Sequence, residues 1–270
     1  MKKGLTELVF ILDRSGSMSG LEDDTIGGFN SMLREQQSVE GEAVVTTLLF
    51  SDRSELLHDR INIQAVAPLT RDDYTVGGST ALLDAIGIAI HKIRKIQRRT
   101  SEEFQAEKVL FVIITDGYEN ASRRYTADMI KERIEHQKQK YGWEFIFFGA
   151  NMDAITEAGK IGIAADRAQN FCADSLGTSS VYTSMSAMST AFRTGGSIGG
   201  SMTAAGPQSA KAALENLKKV AGGLRKAAGE LSDETAELFR VAKANGGKSP
   251  DVNEIARQVL AGQNKKKENE

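Results

Sequence analysis

Short apolar runs alternate with longer amphipathic stretches along most of the chain. Four runs rich in Val, Ile, Leu and Phe are typical of buried strands: Leu5–Leu12, Ala43–Phe50, Lys108–Thr115 and Trp143–Ala150. Lys108–Thr115 is the most hydrophobic of them and predicts a central parallel strand that is covered on both faces. Glu55–Val66 alternates only in part and is a candidate edge strand, while Ala168–Ala173 is a candidate last short strand.

Helical periodicity fills the segments between these runs. It predicts helices over Leu21–Ser38, Ser79–Ile96, Thr126–Tyr141, Ala154–Lys160 and Ser175–Arg193. In the second of these segments, Leu82, Leu83, Ile86, Ile90 and Ile93 recur at helical spacing. Because strands and helices alternate in this way, we expect an α/β fold.

The composition changes after residue 193. We predict one globular domain over residues 1–193, followed by a Gly/Ser-rich linker over 194–207. Residues 208–263 are rich in Ala, Lys and Glu and have few large apolar side chains, which favours a helical tail. The lysine-rich end, 264–270, is typical of disorder.

Charge and cysteine content narrow the function classes. The formal net charge is −2 and the sequence pI is about 6.0, which gives no electrostatic case for nucleic acid or an anionic membrane as the main partner. A single cysteine, Cys172, allows no intrachain disulfide and favours a reducing compartment, and we expect it to be buried. The first apolar stretch is cut by Asp13, so it is too short for a signal peptide, and no window suits a membrane helix. We therefore expect a cytoplasmic protein.

Two chemistries compete for the stretch LVFILDRSGSMSG, residues 8–20. Residues 16–20, Gly-Ser-Met-Ser-Gly, are similar to the G-x-S-x-G pattern of a hydrolase nucleophile elbow, although Met18 stands at the central position where the pattern has its serine. Ser19, the candidate nucleophile, lies seven residues beyond Leu12, where an elbow would follow the strand at once. The histidine His58 also precedes Asp116, the best acid, against the order of the elbow family. Asp13, Ser15 and Ser17 instead form a D-x-S-x-S set of oxygen ligands for a hard cation.

Two further loops support the cation. Asp116 follows the strongest strand as Asp13 follows the first one, and parallel strands would bring both carboxylates to the same edge of the sheet. Between them, Gly77-Gly78 precedes Ser79 and Thr80, either of which could cap the next helix and turn its hydroxyl toward that edge. The set contains only oxygen donors, so Mg²⁺ or Mn²⁺ suits it better than Zn²⁺.

The segments DRSGSM, GGSTAL and ITDGYEN, in this order and spacing, resemble the three motifs of von Willebrand factor type A domains. The resemblance covers about Lys2 to Arg193. It implies a Rossmann-like, mostly parallel sheet flanked by helices on both faces, with a metal-ion-dependent adhesion site on one edge. The metal ligands that it implies are Asp13, Ser15, Ser17, Thr80 and Asp116. In that family a Glu or Asp of a partner protein enters the open coordination position.

The expected function is therefore a Mg²⁺- or Mn²⁺-dependent protein-interaction module rather than an enzyme. The chain is similar to compact bacterial proteins of this type, which include those of tellurium-resistance and other stress-response systems. The alternative is an accessory subunit of an AAA+ ATPase of the MoxR or chelatase kind, with the helical tail as docking arm. A metal-dependent hydrolase is a third hypothesis, for which Glu119 is the only candidate general base near a motif.

Several neighbouring residues receive more ordinary interpretations. Glu119 and Asn120 are expected in a solvated loop, and Asp84 on a partly exposed helix face. Ser19 is expected to cap the following helix, and Gly16 to let its loop bend so that both serine hydroxyls point at one ion.

Overall fold

A computed structural model describes residues 1–196 and 198. Within them, one six-stranded sheet consists of β1 (Lys2–Asp13), β2 (Ala43–Phe50), β3 (Ser54–Asn62), β4 (Ala106–Asp116), β5 (Glu144–Ala150) and β6 (Ala168–Phe171). The strands lie in the order β3-β2-β1-β4-β5-β6, which is the order of a Rossmann sheet. All neighbouring pairs are parallel except β2 and β3, which are antiparallel.

Five helices cover the two faces of this sheet. They are α1 (Glu22–Ser38), α2 (Leu82–Arg99), α3 (Ala127–Tyr141), α4 (Ala154–Lys160) and α5 (Ser175–Thr194). Side chains of a strand alternate between the faces. In β1, Val9 and Ile11 therefore pack with α2, α3 and α4, whereas Leu8 and Phe10 pack with α1 and α5. The predicted α/β fold, with a mostly parallel sheet and helices on both faces, is confirmed.

Most predicted elements are found, with differences at their ends. The edge strand ends at Asn62, earlier than predicted, because the chain turns there into a short 3₁₀ segment whose Gln64 amide donates to the Asn62 side chain, at 3.0 Å. Helix α2 begins at Leu82 rather than Ser79, because residues 77–81 are held in a loop by other parts of the chain. Cys172 is exposed, so the expectation of a buried cysteine was wrong.

The sheet register places the candidate ligands together. Leu12 pairs with Ile114, so β1 and β4 end side by side, with Asp13 and Asp116 as their last residues. Residue Ala150 ends β5 next to Asp116. We call this end of the sheet, where β1, β4 and β5 finish, the carboxyl edge.

In the part of the chain that the structure describes, no helix is both long enough and apolar enough to cross a membrane. Helix α5 ends at Thr194, and Gly195 follows it in the left-handed conformation that commonly ends helices. The predicted helical tail (208–263) and disordered end (264–270) lie outside the described residues, as does most of the predicted linker (194–207).

Candidate metal site

Asp13 organises the loop that follows β1. Its side chain is 1% exposed. One carboxylate oxygen accepts a hydrogen bond from the Ser15 amide at 2.7 Å, and the other accepts from the Thr115 hydroxyl at 2.7 Å and the Asp116 amide at 3.3 Å. Burial raises the pKa of Asp13, and these hydrogen bonds oppose the rise. Asp13 therefore ties the end of β1 to the end of β4.

The two serine hydroxyls of this loop lie side by side. Ser15 Oγ and Ser17 Oγ are 3.0 Å apart, and the Ser17 hydroxyl donates to the backbone carbonyl of Asp116. Ser15 is buried, whereas Ser17 is exposed at the surface of the edge. Two oxygens bound at right angles to one Mg²⁺, at 2.0–2.1 Å each, are about 2.8–3.0 Å apart. The serine pair therefore has the spacing of adjacent ligands in an octahedral site.

Backbone hydrogen bonds fix the position of Thr80. The Gly16 amide donates to the Gly78 carbonyl at 3.0 Å, and the Thr80 amide donates to the side-chain oxygen of Asn120 at 2.9 Å. A Cβ atom placed on Gly117 would lie 3.4 Å from Ser17 Oγ and 3.9 Å from Thr80 Oγ1. The hydroxyls of Ser17 and Thr80 therefore face the same space above Gly117, whose φ of +138° also favours glycine.

The five residues predicted as ligands thus meet at the carboxyl edge: Asp13, Ser15, Ser17, Thr80 and Asp116. The described residues contain no group of three or more His, Cys, Asp or Glu side chains placed to hold a metal ion. The donors gathered here are instead two carboxylates and three hydroxyls. Such an all-oxygen set fits a hard cation such as Mg²⁺ or Mn²⁺.

Asn151 is a site residue that sequence reasoning missed. Its side-chain amide donates to a carboxylate oxygen of Asp116, while burial raises the pKa of Asp116. Asn151 adopts a left-handed conformation, with φ of +54°, directly after β5. Its position gave a signal, because it follows a buried strand just as Asp13 and Asp116 do.

Glu119 has a structural role that differs from the expected solvated loop position. It is half-buried, and its carboxylate accepts hydrogen bonds from the amides of Leu83, Ala121 and Ser122 and from the Ser122 hydroxyl, at 2.7–2.9 Å. Helix α2 is preceded by Ala81, which makes no side-chain cap, so neither Ser79 nor Thr80 caps it. Glu119 instead supplies an acceptor to the first turn of α2 from a distant loop.

Asp84 lies on α2 and is partly exposed, as expected, and it has a further role that the sequence did not indicate. Its carboxylate accepts from the amides of Arg123, Arg124 and Tyr125 at 2.9–3.0 Å. Asp84 and Glu119 together fasten the start of α2 to the loop after β4. Both interactions join residues far apart in sequence, so no local pattern indicates them.

Two expectations for the first loop were wrong. Ser19 does not cap α1, because its hydroxyl donates to the Gly16 carbonyl at 2.8 Å, and α1 is preceded by Leu21 without a side-chain cap. Gly16 has no positive φ, and a Cβ there would meet the Gly78 carbonyl at 3.4 Å, an ordinary van der Waals contact, so the bend of this loop does not require glycine at position 16. A further anchor, the buried Tyr74 hydroxyl, donates to the Asp13 carbonyl.

The three histidines of the chain lie away from the carboxyl edge. His58 is buried within β3, opposite Thr47, whose hydroxyl is 3.0 Å from His58 Nδ1. Burial lowers the pKa of His58. His91 and His136 lie on α2 and α3, well inside each helix.

Comparisons with protein-family models and with curated proteins found no match. Among solved structures, the chain is similar to proximal thread matrix protein 1 from the mussel byssus, at 14% identity and a TM-score of 0.48, over 69% of this chain and 46% of that one. A second structure of that protein, described as having a zinc-occupied MIDAS motif, matches at 11% identity and a TM-score of 0.47, with coverages of 69% and 46%.

A von Willebrand factor type A structure from Catenulispora acidiphila matches at 15% identity and a TM-score of 0.44, over 68% of this chain and 42% of that one. The chain therefore spans less than half of the length of these structures. Its own strand order is that of a Rossmann-like sheet, and the three motif loops lie together at one edge, which is the arrangement that the resemblance to von Willebrand factor type A domains implies.

Proposed function

We propose that this chain is a metal-dependent protein-interaction module. Asp13, Ser15, Ser17, Thr80 and Asp116 hold a divalent cation, Mg²⁺ or Mn²⁺, at the carboxyl edge. A Glu or Asp carboxylate of a partner protein completes the coordination. The observation that carries the proposal is the 3.0 Å separation of Ser15 Oγ and Ser17 Oγ, which equals the spacing of adjacent octahedral ligands.

The residues of the site divide into two roles. Ser15, Ser17 and Thr80 offer neutral hydroxyl oxygens, and Ser17 is exposed to an incoming group. Asp13 and Asp116 already accept hydrogen bonds from neighbouring loops, so they position those hydroxyls and add the negative charge that a cation needs. The bound cation supplies a positive, open coordination position. Because three of the five oxygen donors are neutral hydroxyls, that position favours an anion, which is why we propose a carboxylate partner.

The proposed role is binding rather than catalysis. Glu119, the candidate general base, already accepts four hydrogen bonds that hold the loop and the start of α2. A base in this position would have to give up structural contacts in order to take a proton. A hydrolase would be indicated by phosphoesterase activity that Asp13→Ala abolishes.

The metal site is tested by titrating the purified chain with Mn²⁺ and measuring free Mn²⁺ by electron paramagnetic resonance. We expect Thr80→Ala to weaken binding about tenfold or more, equal to about 1.4 kcal/mol. Ser19→Ala is the matched control, since it removes a hydroxyl from the same region but outside the ligand set, and it should bind as the wild type does. Equal affinity of Thr80→Ala and wild type would contradict the proposal.

The partner role is tested by affinity capture with Mg²⁺, with EDTA, and with the Thr80→Ala chain. We expect a specific partner to be retained only by the wild type with Mg²⁺. Capture of an AAA+ ATPase would assign the module to such an assembly, whereas capture of stress-response proteins would favour a tellurium-resistance-like system. A partner that stays bound under all three conditions would contradict a metal-dependent contact.

A further inference from the structure

An apolar pocket of about 180 Å³ opens beside the carboxyl edge. Its walls include Leu82, Leu83, Phe147, Met152 and Ile161. A cavity of roughly 150 Å³ lined by Leu, Ile and Phe accommodates a benzene ring. The pocket is therefore the right size for one large apolar side chain.

The pocket shares its walls with the candidate metal site. Gly117 lines it, and the same glycine lies against the hydroxyls of Ser17 and Thr80. Leu82 and Leu83 follow Thr80 by two and three residues. The loops that carry Thr80 and Asp116 thus form both the metal edge and one side of the pocket, so a ligand at one place is next to the other.

The rim of the pocket carries an exposed aromatic ring and a balanced pair of charges. Tyr118 lines the pocket and is 53% exposed. Glu157 and Lys160 also line it and form an ion pair with each other at 2.7 Å. These two charges neutralise one another, and the third charged lining residue, Glu119, already accepts four hydrogen bonds, so the lining favours an uncharged occupant. An exposed tyrosine beside an apolar pocket is a frequent anchor at protein interfaces.

We infer that this pocket takes an apolar side chain of the same partner segment whose carboxylate binds the cation. The inference rests on the proposed function and adds a sequence requirement to it. In an extended segment each residue advances about 3.3 Å, and alternate side chains point the same way. The partner motif is therefore an acidic residue with a large apolar residue within about three positions of it.

The test selects peptides on the full-length chain. A phage library of nine-residue peptides, with one fixed glutamate and random residues elsewhere, is selected in Mg²⁺ and in EDTA. We expect peptides that bind only with Mg²⁺ and that carry Leu, Ile, Met or Phe within three positions of the glutamate. Replacing that apolar residue by Ala in a synthetic peptide should weaken binding about tenfold.

Two variants locate the effect in the pocket. Ala127→Leu places a larger side chain on a half-buried wall residue, and Tyr118→Ala removes a ring that is 53% exposed. Both variants should bind the selected peptides more weakly than the wild type does. They should also show a smaller difference in affinity between the peptide with the apolar residue and the peptide with Ala in its place. Thermal unfolding checks that each variant is folded.

The outcomes separate the two proposals. Mg²⁺-dependent peptides without an apolar preference would overturn the pocket inference and leave the metal-dependent module intact. Peptides that bind equally in EDTA, or whose binding Thr80→Ala does not change, would overturn the proposed function and the inference with it. If Ala127→Leu and Tyr118→Ala kept the full preference for an apolar peptide residue, that residue would bind outside this pocket and the inference would be overturned.

Discussion

Each face of the sheet has a close contact between a helix glycine and a tyrosine ring. On one face, a Cβ placed on Gly87 of α2 would come within 2.5 Å of the Tyr125 ring. On the other, a Cβ placed on Gly28 of α1 would come within 2.3 Å of the Tyr182 ring of α5. The two faces therefore use the same packing device, and they differ in how the tyrosine segment is anchored.

The α2 face is anchored by carboxylates close to the metal edge. Asp84 accepts hydrogen bonds from three consecutive amides, including that of Tyr125, and Glu119 accepts four. The Tyr125 ring is half-buried and lies under the Arg133 guanidinium, at 5.0 Å. These bonds fasten the loop that follows Asp116 to the start of α2, which follows Thr80.

The α5 face is anchored at the opposite end. The Arg193 guanidinium donates to the carbonyls of Gln36, Val39 and Gly41 at and beyond the end of α1, with two of these distances at 2.9 Å. Along its length α5 also has side-chain hydrogen bonds to α1, where Gln36 donates to the Ser186 carbonyl at 2.9 Å and to the Thr190 hydroxyl at 2.8 Å. Within the described residues, the buried hydroxyls of Thr178, Ser184 and Ser189 have no hydrogen-bond partner. Both faces are thus anchored by polar groups, but the anchors of the α2 face lie beside the candidate ligands, whereas those of the α5 face join α5 to α1.

The largest effect is expected at Glu119. Glu119→Gln keeps the shape of the side chain but replaces one carboxylate oxygen by an NH₂ group. Because an NH₂ group cannot accept a hydrogen bond, the N–H donors that faced this oxygen lose their acceptor. Unsatisfied buried donors cost about 1–3 kcal/mol each, so we expect a loss of about 2 kcal/mol or more. Urea denaturation measures this loss.

The control for that variant is Glu132→Gln, at an exposed position of α3. It makes the same chemical change without disturbing the loop and should alter stability by less than about 0.5 kcal/mol. If both variants were equally stable, Glu119 would not be an anchor of the α2 face, and the contrast between the two faces would be lost.

The two glycines are expected to give unequal effects. Alanine favours a helix over glycine by about 1 kcal/mol, so the substitution stabilises wherever the ring can move aside. An added Cβ on Gly87 would meet Cγ, Cδ2 and Cε2 of the Tyr125 ring, so the ring would have to shift. Because Tyr125 is half-buried, we expect Gly87→Ala to cost about 1 kcal/mol or less. Tyr182 is 3% exposed and enclosed by the core, so Gly28→Ala should cost about 1–3 kcal/mol from overpacking. Thermal unfolding compares them, and the reverse order would refute the proposed difference in mobility.

Local patterns predicted the fold and the loops of the site well. The runs Ala43–Phe50 and Ala154–Lys160 form the elements expected of them, because an apolar strand or a helical stripe is encoded in consecutive residues. The convergence of Asp13 and Asp116 also followed from local reasoning, since each ends a strand of a parallel sheet.

The anchors of the site were not predictable in the same way. Glu119 acts on Leu83, Asn120 on Thr80 and Asn151 on Asp116, across 35 to 40 residues. Such pairs depend on the three-dimensional packing of loops rather than on spacing. Thr80 was misjudged as a helix cap for the same reason, because the distant Asn120 holds it in a loop, whereas Ser19 was misjudged because its hydroxyl donates to the nearby Gly16 carbonyl instead.

The smallest change in stability is expected for a substitution at Ser189. Whether that change is a gain or a loss tests the comparison of the two faces directly. A buried hydroxyl without a partner costs desolvation free energy and returns no hydrogen bond. Ser189→Ala removes that cost, and alanine also has the higher helix propensity, so we expect stability to be unchanged or to rise by up to about 1 kcal/mol. Ser122→Ala is the counterpart on the α2 face, where the hydroxyl donates to Glu119 at 2.7 Å, and it should lower stability by about 1 kcal/mol. Urea denaturation of the two variants side by side would show opposite shifts if the Ser189 hydroxyl is unpaired. A clear loss of stability in Ser189→Ala would mean that this hydroxyl has a hydrogen-bond partner.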